Sequence, residues 1–334
     1  MAADTIDRLL TSLSVRLHAF AVCEIKAGWR LTFDPMDAIT IHYVLAGTGM
    51  VRVAGGVDRD YAAFSIIVVP ARVAQSLGEP DAVEEAAASS DNCGLVADGL
   101  VKFTAGDGSR DTLVVCATIT ASYGGALGVF DQLRSPMVED FSQTDKLRGL
   151  FATLMSEIAE PGIGTQAMTE SLMKQCLILL LRHHLLRLSV SSPLFAPLED
   201  HRLARAITAV LERPSASYTV DSLASLAGMS RSAFADRFSG ALGQTPMEFV
   251  QRVRLRLGAE LLRSTDLPIK VIAASIGFSG RSYFSRAFRN AHNIDPKSYR
   301  ARAAQSQEIA HLAIAPSLVD QVVSAVSGAL DEEE

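Results

Sequence analysis

Two stretches of this 334-residue chain repeat one another 50 residues apart, and that repeat limits what the chain can fold into. Residues 277–289 read as a tight turn that opens a short amphipathic helix. Gly277 can take the positive φ that ends a preceding helix over 269–276. Ser279 is then suited to N-cap the next one. Tyr283, Phe284, Ala287 and Phe288 recur at helical spacing and predict one buried face, which leaves Arg281, Ser282, Ser285, Arg286 and Arg289 on the other. The earlier counterpart runs Gly228-Met229-Ser230-Arg231-Ser232-Ala233-Phe234 and ends at Phe238. Arg231 and Arg281, Phe234 and Phe284, Phe238 and Phe288, and Pro246 and Pro296 each lie 50 positions apart, whereas Gly228 and Gly277 lie 49 apart. The second copy therefore carries one extra turn residue. A short Ala-rich helix precedes each glycine, with small residues that let two helices cross closely.

Charge follows the same division. The chain as a whole is at −6, but residues 1–200 carry 15 Lys/Arg against 24 Asp/Glu, and residues 201–302 carry 16 against 7. Residues 303–334 carry none against 6. A basic block between acidic ones is the footprint of a nucleic-acid module on an acidic partner. Arg, Ser and similar side chains on an exposed helix face suit base edges and phosphates. Two helical hairpins with solubilising arginines would be the plainer explanation, but two copies inside the only basic segment favour DNA binding.

Apolar residues at 49% and charged residues at 20% fit a soluble globular protein, and the length allows two domains. Residues 1–20 predict an amphipathic helix. From about 22 to 119 short β-like runs (39–45, 49–53, 64–70, 112–117) alternate with glycines, which suggests a sandwich or barrel. Residues 84–91 read as an exposed connection. Helical spacing returns over 146–159 and 165–188, separated by Pro161-Gly162 and Gly164. The leucines of 165–188 cover more than one face, as either a dimer seam or a core helix would. Cys23, Cys93, Cys116 and Cys176 show no Cys-x-x-Cys and read as reduced thiols in a cytosolic protein. No apolar run is long enough to span a bilayer.

The helical part carries a family resemblance. Ala227-Gly228-Met229-Ser230-Arg231-Ser232, Arg254-Leu255-Arg256 with Leu261-Leu262, Asp266-Leu267-Pro268-Ile269, Ile276-Gly277-Phe278-Ser279, Ser282-Tyr283-Phe284-Ser285-Arg286-Ala287-Phe288 and Pro296-Lys297-Ser298-Tyr299-Arg300 resemble the AraC/XylS transcription regulators. The resemblance implies a seven-helix domain with two helix-turn-helix units that binds double-stranded promoter DNA and controls transcription, usually as an activator working with RNA polymerase. By position it implies base reading at Arg231, Ser232, Ala235 and Asp236, then at Arg281, Ser282, Ser285 and Arg286. Candidate phosphate contacts are Ser230, Arg237, Arg252, Ser279 and Arg289. Three positions depart from the pattern: Asp236, where a longer polar or basic group is common; Gly258, in place of alanine in the joining helix; and Asn293, in place of glycine.

The β-rich half resembles the cupin-type sensory domain, on His42-Tyr43-Val44-Leu45-Ala46-Gly47-Thr48-Gly49 and Ile66-Ile67-Val68-Val69-Pro70, with Asp91-Asn92-Cys93-Gly94 further on. It implies a small barrel followed by dimerisation helices. Cupin enzymes hold metal through a His-x-His pair, but Val44 follows His42 and Gln75 stands where a later histidine is common, so neither metal nor other cofactor is expected. His42 would face the barrel, satisfying a core hydrogen bond or meeting a ligand. Trp29 is core at the barrel edge and, with His42, a candidate for effector contact. His183 and His184 read as exposed or interfacial.

The expectation is an α+β, two-domain, cytoplasmic and dimeric regulator. It has a cupin-like effector and dimerisation domain (1–190), a linker (191–200), an all-α DNA-binding domain (201–302) and an acidic tail (303–334). A cupin-like enzyme or binding protein with structural C-terminal helices is the alternative. No phosphate loop, Gly-x-Ser-x-Gly or Cys-His pairing marks an enzyme.

Overall fold

The computed structural model describes residues 2–309 except 83, 89–92, 98–99, 108, 124–126, 132 and 188–199. Most of the expected linker, Asp91-Asn92 and the tail beyond 309 lie outside the described residues. The described chain divides into two compact units, one drawn from 15–120 and 133–187, the other from 2–14, 121–131 and 200–309.

The first unit is built on two sheets. One orders β13 (Met137–Asp140), β6 (Ser65–Val69), β3 (Ile39–Ala46), β11 (Arg110–Tyr123), β1 (Leu13–Lys26), β10 (Leu100–Ala105) and β9 (Cys93–Ala97), with β12 (Leu127–Gly128) on β11. The other orders β5 (Arg59–Tyr61), β4 (Gly49–Val53), β7 (Gln75–Gly78), β2 (Trp29–Phe33) and β8 (Glu84–Ala87). Cys23, Val44, Ile67, Val114 and Cys116 of the first sheet and Leu31, Val51, Tyr61 and Leu77 of the second form one buried cluster. The cupin-like layout is thus two sheets enclosing a core, and their ladders do not close into a barrel among the described residues.

Strand β3 is buried from Thr40 to Leu45 because both its faces are covered. Val44 points into the core, while Tyr43 stacks on Phe151 of α2 (Asp145–Ala159) with ring centroids 3.9 Å apart. Helix α3 (Thr165–Arg187) packs on α2 and buries Leu172, Met173, Cys176, Leu177, Leu180 and Leu181. Much of its apolar surface therefore serves the unit's own core, and Met168 and Leu186 stay exposed.

Three expectations change here. Helix α1 (Ala2–Thr11) stops well before residue 20, because Leu13 and Val15 alternate with exposed-side neighbours and the chain joins β11 as β1. Pairing with a neighbouring strand outweighs a local helical spacing. Residues 84–87 form β8, parallel to β2, rather than a connection. His184 is buried, with Nδ1 2.7 Å from Glu139 Oε1, and only His183 keeps moderate exposure. Cys23, Cys116 and Cys176 are free thiols in this structure; the Cys93 side chain lies outside the described residues.

His42 is fully buried with both ring nitrogens partnered, by Cys116 Sγ at 3.0 Å and Gln75 Oε1 at 2.9 Å. The core hydrogen bond open to it is formed. Burial lowers its pKa from 6.5 to about 4, against a smaller opposing effect of the Gln75 bond. An unfolded chain takes up this proton near 6.5 and the folded one only near 4, so folding loses stability as pH falls through that window. The loss should approach ~3 kcal/mol, from about 1.4 per pH unit of difference. Urea unfolding of the wild type and His42→Gln at pH 7 and pH 4.5 checks this: the wild type should lose more.

The second unit is helical. From residue 200 its described part runs α4 (His201–Glu212), α5 (Val220–Ala227), α6 (Arg231–Leu242), α7 (Pro246–Ser264), α8 (Ile269–Ser275), α9 (Arg281–His292) and α10 (Pro296–Ile309). Helix α1 packs against α4, whose Leu203, Ile207 and Val210 are buried.

Candidate nucleic-acid interface

The two halves of the helical unit are built alike, atom by atom at their turns. Helix α5 ends in Gly228 at φ 64°, with Met229 N donating to Ala224 O. The matching bond in the second half runs from Phe278 N to Ala273 O, past Gly277 at φ 86°. Those left-handed glycines turn the chain sharply. Helix α6 then starts directly, capped by Ser230, whose hydroxyl accepts from Ala233 N. Helix α9 starts one residue later, and its N-cap is Gly280 in extended backbone. The expected capping role of Ser279 is thus corrected: the extra turn residue displaces it by one position. Both recognition helices end in left-handed residues, Gly243 and Asn293, so asparagine fills the glycine's place without strain. Pro246 and Pro296 open the helices that follow.

Burial repeats with the same offset. Phe234 and Phe238 of α6 and Phe284 and Phe288 of α9 are inaccessible, anchoring each helix by two rings. Tyr283, expected in that face, is half exposed. Arg231, Ser232 and Asp236 of α6, like Arg281, Ser282 and Arg286 of α9, are exposed, and Ala235 and Ser285 lie partly covered at equivalent points. The sequence-predicted faces are therefore both displayed, each on a helix anchored in the core by two buried rings. Helix α7, 19 residues and so roughly 28 Å long, joins the halves.

Residues 223–302 match a helix-turn-helix domain family and residues 4–186 match a cupin family. The second match spans more than half of the chain. A putative AraC-like transcription regulator of Streptomyces antibioticus is 29% identical over 307 residues, 89% of this chain and 98% of that one. An uncharacterized helix-turn-helix regulator of Haemophilus influenzae is 30% identical over 151 residues, so the chain spans 51% of that relative and matches with 45% of itself. Among solved structures, an AraC-type DNA-binding regulator from Chromobacterium violaceum is similar, with 30% identity over 31% of this chain and 94% of that one, at a TM-score of 0.30. The chain belongs to the AraC family of transcriptional regulators, with an N-terminal cupin domain.

Several arginines of this AraC-type regulator serve the scaffold rather than the displayed faces. Arg254 donates to the carbonyls of Pro214 and Ala216, both at 2.8 Å, and Arg300 to those of Leu262 and Leu267. The family-like strings around them are thus partly structural. Gly258 also has a structural reason: a Cβ there would come within 2.9 Å of both Ile276 Cδ1 and Phe284 Cε2. The loss of helix propensity is offset by close approach of α7 to the second half.

Sequence reasoning missed how carboxylates are distributed among the cations. In the first half Arg231 Nη1 lies 3.1 Å from Asp221 Oδ2, and Arg237 Nε lies 2.5 Å from Asp200 Oδ2. Burial alone would raise the Asp200 carboxyl, but the Arg202 backbone N–H and the Arg237 guanidinium outweigh it and hold it below the usual range. Arg252 is turned towards Asp131 at 3.7 Å, beside Arg256 at 3.0 Å, with its Nε and Nη2 buried. About a third of the Arg252 side chain, 34%, stays exposed. In the second half Arg289 senses the charge of Asp295, whereas neither Arg281 nor Arg286 has an acidic partner among the described residues. Acidic side chains in the helical unit were visible in the sequence, but their pairing depends on folding.

No helix among the described residues is long and apolar enough to cross a membrane. Trp29 is half-buried at the edge of the β-rich core, against Gly106.

Proposed function

We propose that this regulator reads two adjacent major-groove segments of promoter DNA with α6 and α9, and that α9 supplies the larger share. The observation that carries this reading is the pair of matching exposed faces, of which only the second keeps two arginines without carboxylate partners. Arg231, Ser232, Ala235 and Asp236 and Arg281, Ser282, Ser285 and Arg286 are the base-reading candidates. Ser230, Arg237, Ser279 and Arg289 flank them as phosphate contacts, with Arg252 the weakest of that set because it lies towards Asp131. Half-sites about one helical turn apart, ~34 Å, would let one polypeptide engage both.

The remaining parts of the proposal are supported by the family resemblance. Residues 1–190 form the effector and dimerisation domain, 191–200 the linker, 201–302 the DNA-binding domain and 303–334 an acidic tail. The protein works in the cytoplasm as a homodimer, activates transcription with RNA polymerase, and responds to a small-molecule effector. A pocket of about 420 Å³ in the β-rich unit, walled by Thr32, Phe33, Arg52, Gln75 and Ser76 among others, supports an effector of small size and mixed polarity. Trp29 and His42 are not among its lining residues. His42 reaches the pocket through its hydrogen bond to Gln75.

Selection of binding sites from random duplex DNA with the full chain, followed by titration against salt, tests the reading. Log affinity should fall against log salt by about 0.9 for every phosphate contact. Arg286→Ala should cost ~1–3 kcal/mol on the selected site and relax one base position. A salt slope near zero would exclude DNA recognition by this surface.

A further inference from the structure

Two neighbouring strands of the eight-stranded sheet, β1 and β11, bring two thiols together inside the β-rich core. Cys23 is fully buried and Cys116 nearly so, and their sulfurs lie 2.8 Å apart. A disulfide requires about 2.05 Å, so closure needs a shift of less than ~1 Å. Both cysteines are free thiols in this structure.

The pair ends a directed chain of hydrogen bonds. Gln75 Oε1 can only accept, so the His42 Nε2 that faces it at 2.9 Å carries the proton and donates. His42 Nδ1 is then the bare nitrogen, 3.0 Å from Cys116 Sγ, and it accepts the Cys116 S–H. The Cys116 sulfur is left to accept from Cys23. Protons are thus ordered from Cys23 through Cys116 and His42 to Gln75, across strands β1, β11, β3 and β7. Two cysteines packed as small apolar residues would need none of this. Gln75, at the end of the chain, is also a wall of the ≈ 420 Å³ pocket.

We infer that Cys23 and Cys116 are a reversible two-electron modification site, closing to a disulfide when a small oxidant of the peroxide class enters by the Gln75 wall. Cys116 passes its proton to His42 Nδ1 as its sulfur attacks a peroxide oxygen. The S–O bond forms, the O–O bond breaks, and the departing hydroxide takes the proton from His42 and leaves as water. The Cys23 sulfur then attacks the sulfenic sulfur of Cys116. The S–S bond forms, the S–O bond breaks, and the departing hydroxide takes the Cys23 proton as a second water. Two thiols lose two electrons and two protons, and one peroxide becomes two waters; an external dithiol reverses the change. Burial pushes the Cys116 thiol up, so no standing thiolate exists and proton transfer accompanies attack.

The test uses the full reduced chain and hydrogen peroxide. Free thiols are blocked in denaturant after treatment, and tryptic peptides are mapped without reduction. The expected product joins the Cys23 peptide to the Cys116 peptide and separates with dithiothreitol, while Cys176 is recovered blocked. Phe33→Ala, which opens the same pocket beside His42 and leaves the hydrogen-bond chain intact, should speed closure several-fold. Recovery of Cys23 and Cys116 as free thiols, a bridge from either to Cys93, or Cys116 driven to sulfinic acid unbridged would each overturn the assignment. An unchanged or slower rate in Phe33→Ala would overturn entry through the pocket.

Discussion

Phe284→Ala should remove ~3–5 kcal/mol from the second half of the DNA-binding unit, the usual cost of deleting a buried aromatic ring. Phe284 is wholly inaccessible, and its centroid lies 5.3 Å from that of Phe278 and 5.4 Å from that of Phe288. It also fills the space that Gly258 leaves on α7. A cavity there cannot be filled by a local shift, since Gly258 has no side chain to move and Ile276 already touches the same space. The second recognition helix should therefore lose its anchorage while the first, held by Phe234, Phe238 and Phe249, keeps its own. Hydrogen exchange checks the selectivity: amide protection should fall in α8 and α9 before α5 and α6. Uniform loss across both halves would mean that the unit opens as one piece. The corresponding Phe234→Ala should reverse the order.

The repeat made this unit legible in advance, because its chemistry is local. Glycines at φ 64° and 86°, serine and threonine caps, and rings at helical spacing act over a few residues, so sequence reports them directly. The failures there are small: Ser279 for Gly280 as N-cap is a shift of one position inside a turn that holds an extra residue, and Tyr283, expected on the buried face, is half exposed. The β-rich unit was less legible, since its register is set by partners distant in sequence. Residues 13–20 look helical until β11 pairs with them, and residues 84–87 look like an acidic loop until β2 does. Arg30 is a sharper case. It is almost fully buried because the carbonyls of Met50 and Glu79 and the hydroxyl of Ser76 receive its guanidinium, and none of these is near it in sequence. The candidate site divides in the same way. Which residues face outward was visible from spacing, but which arginines meet carboxylates depends on Asp131, Asp200 and Asp221 arriving from other helices and segments.

That last distinction sets the largest expected difference in DNA affinity. Arg281→Ala with Arg286→Ala should cost roughly 2–6 kcal/mol on the selected site, if each arginine makes a specific contact worth about 1–3 kcal/mol. Arg231→Ala with Arg237→Ala, the same charge removed from the first half, should cost clearly less. Each of those guanidiniums already lies against a carboxylate, at 3.1 Å and 2.5 Å, so the field it offers to a phosphate is partly neutralised. DNA has to draw it away or share it. The exposed Arg231–Asp221 pair is itself worth under ~1 kcal/mol to folding, so breaking it is easy and its effect falls on binding rather than stability. Salt titration separates the two double variants further. Arg237 is a phosphate contact whereas Arg281 and Arg286 read bases, so the first-half variant should flatten the dependence on log salt by up to about 0.9 and the second-half variant by less. Equal losses of affinity for the two variants would show that the carboxylates around α6 move aside on binding. The two helices would then contribute alike, and the asymmetry would belong to the free protein alone.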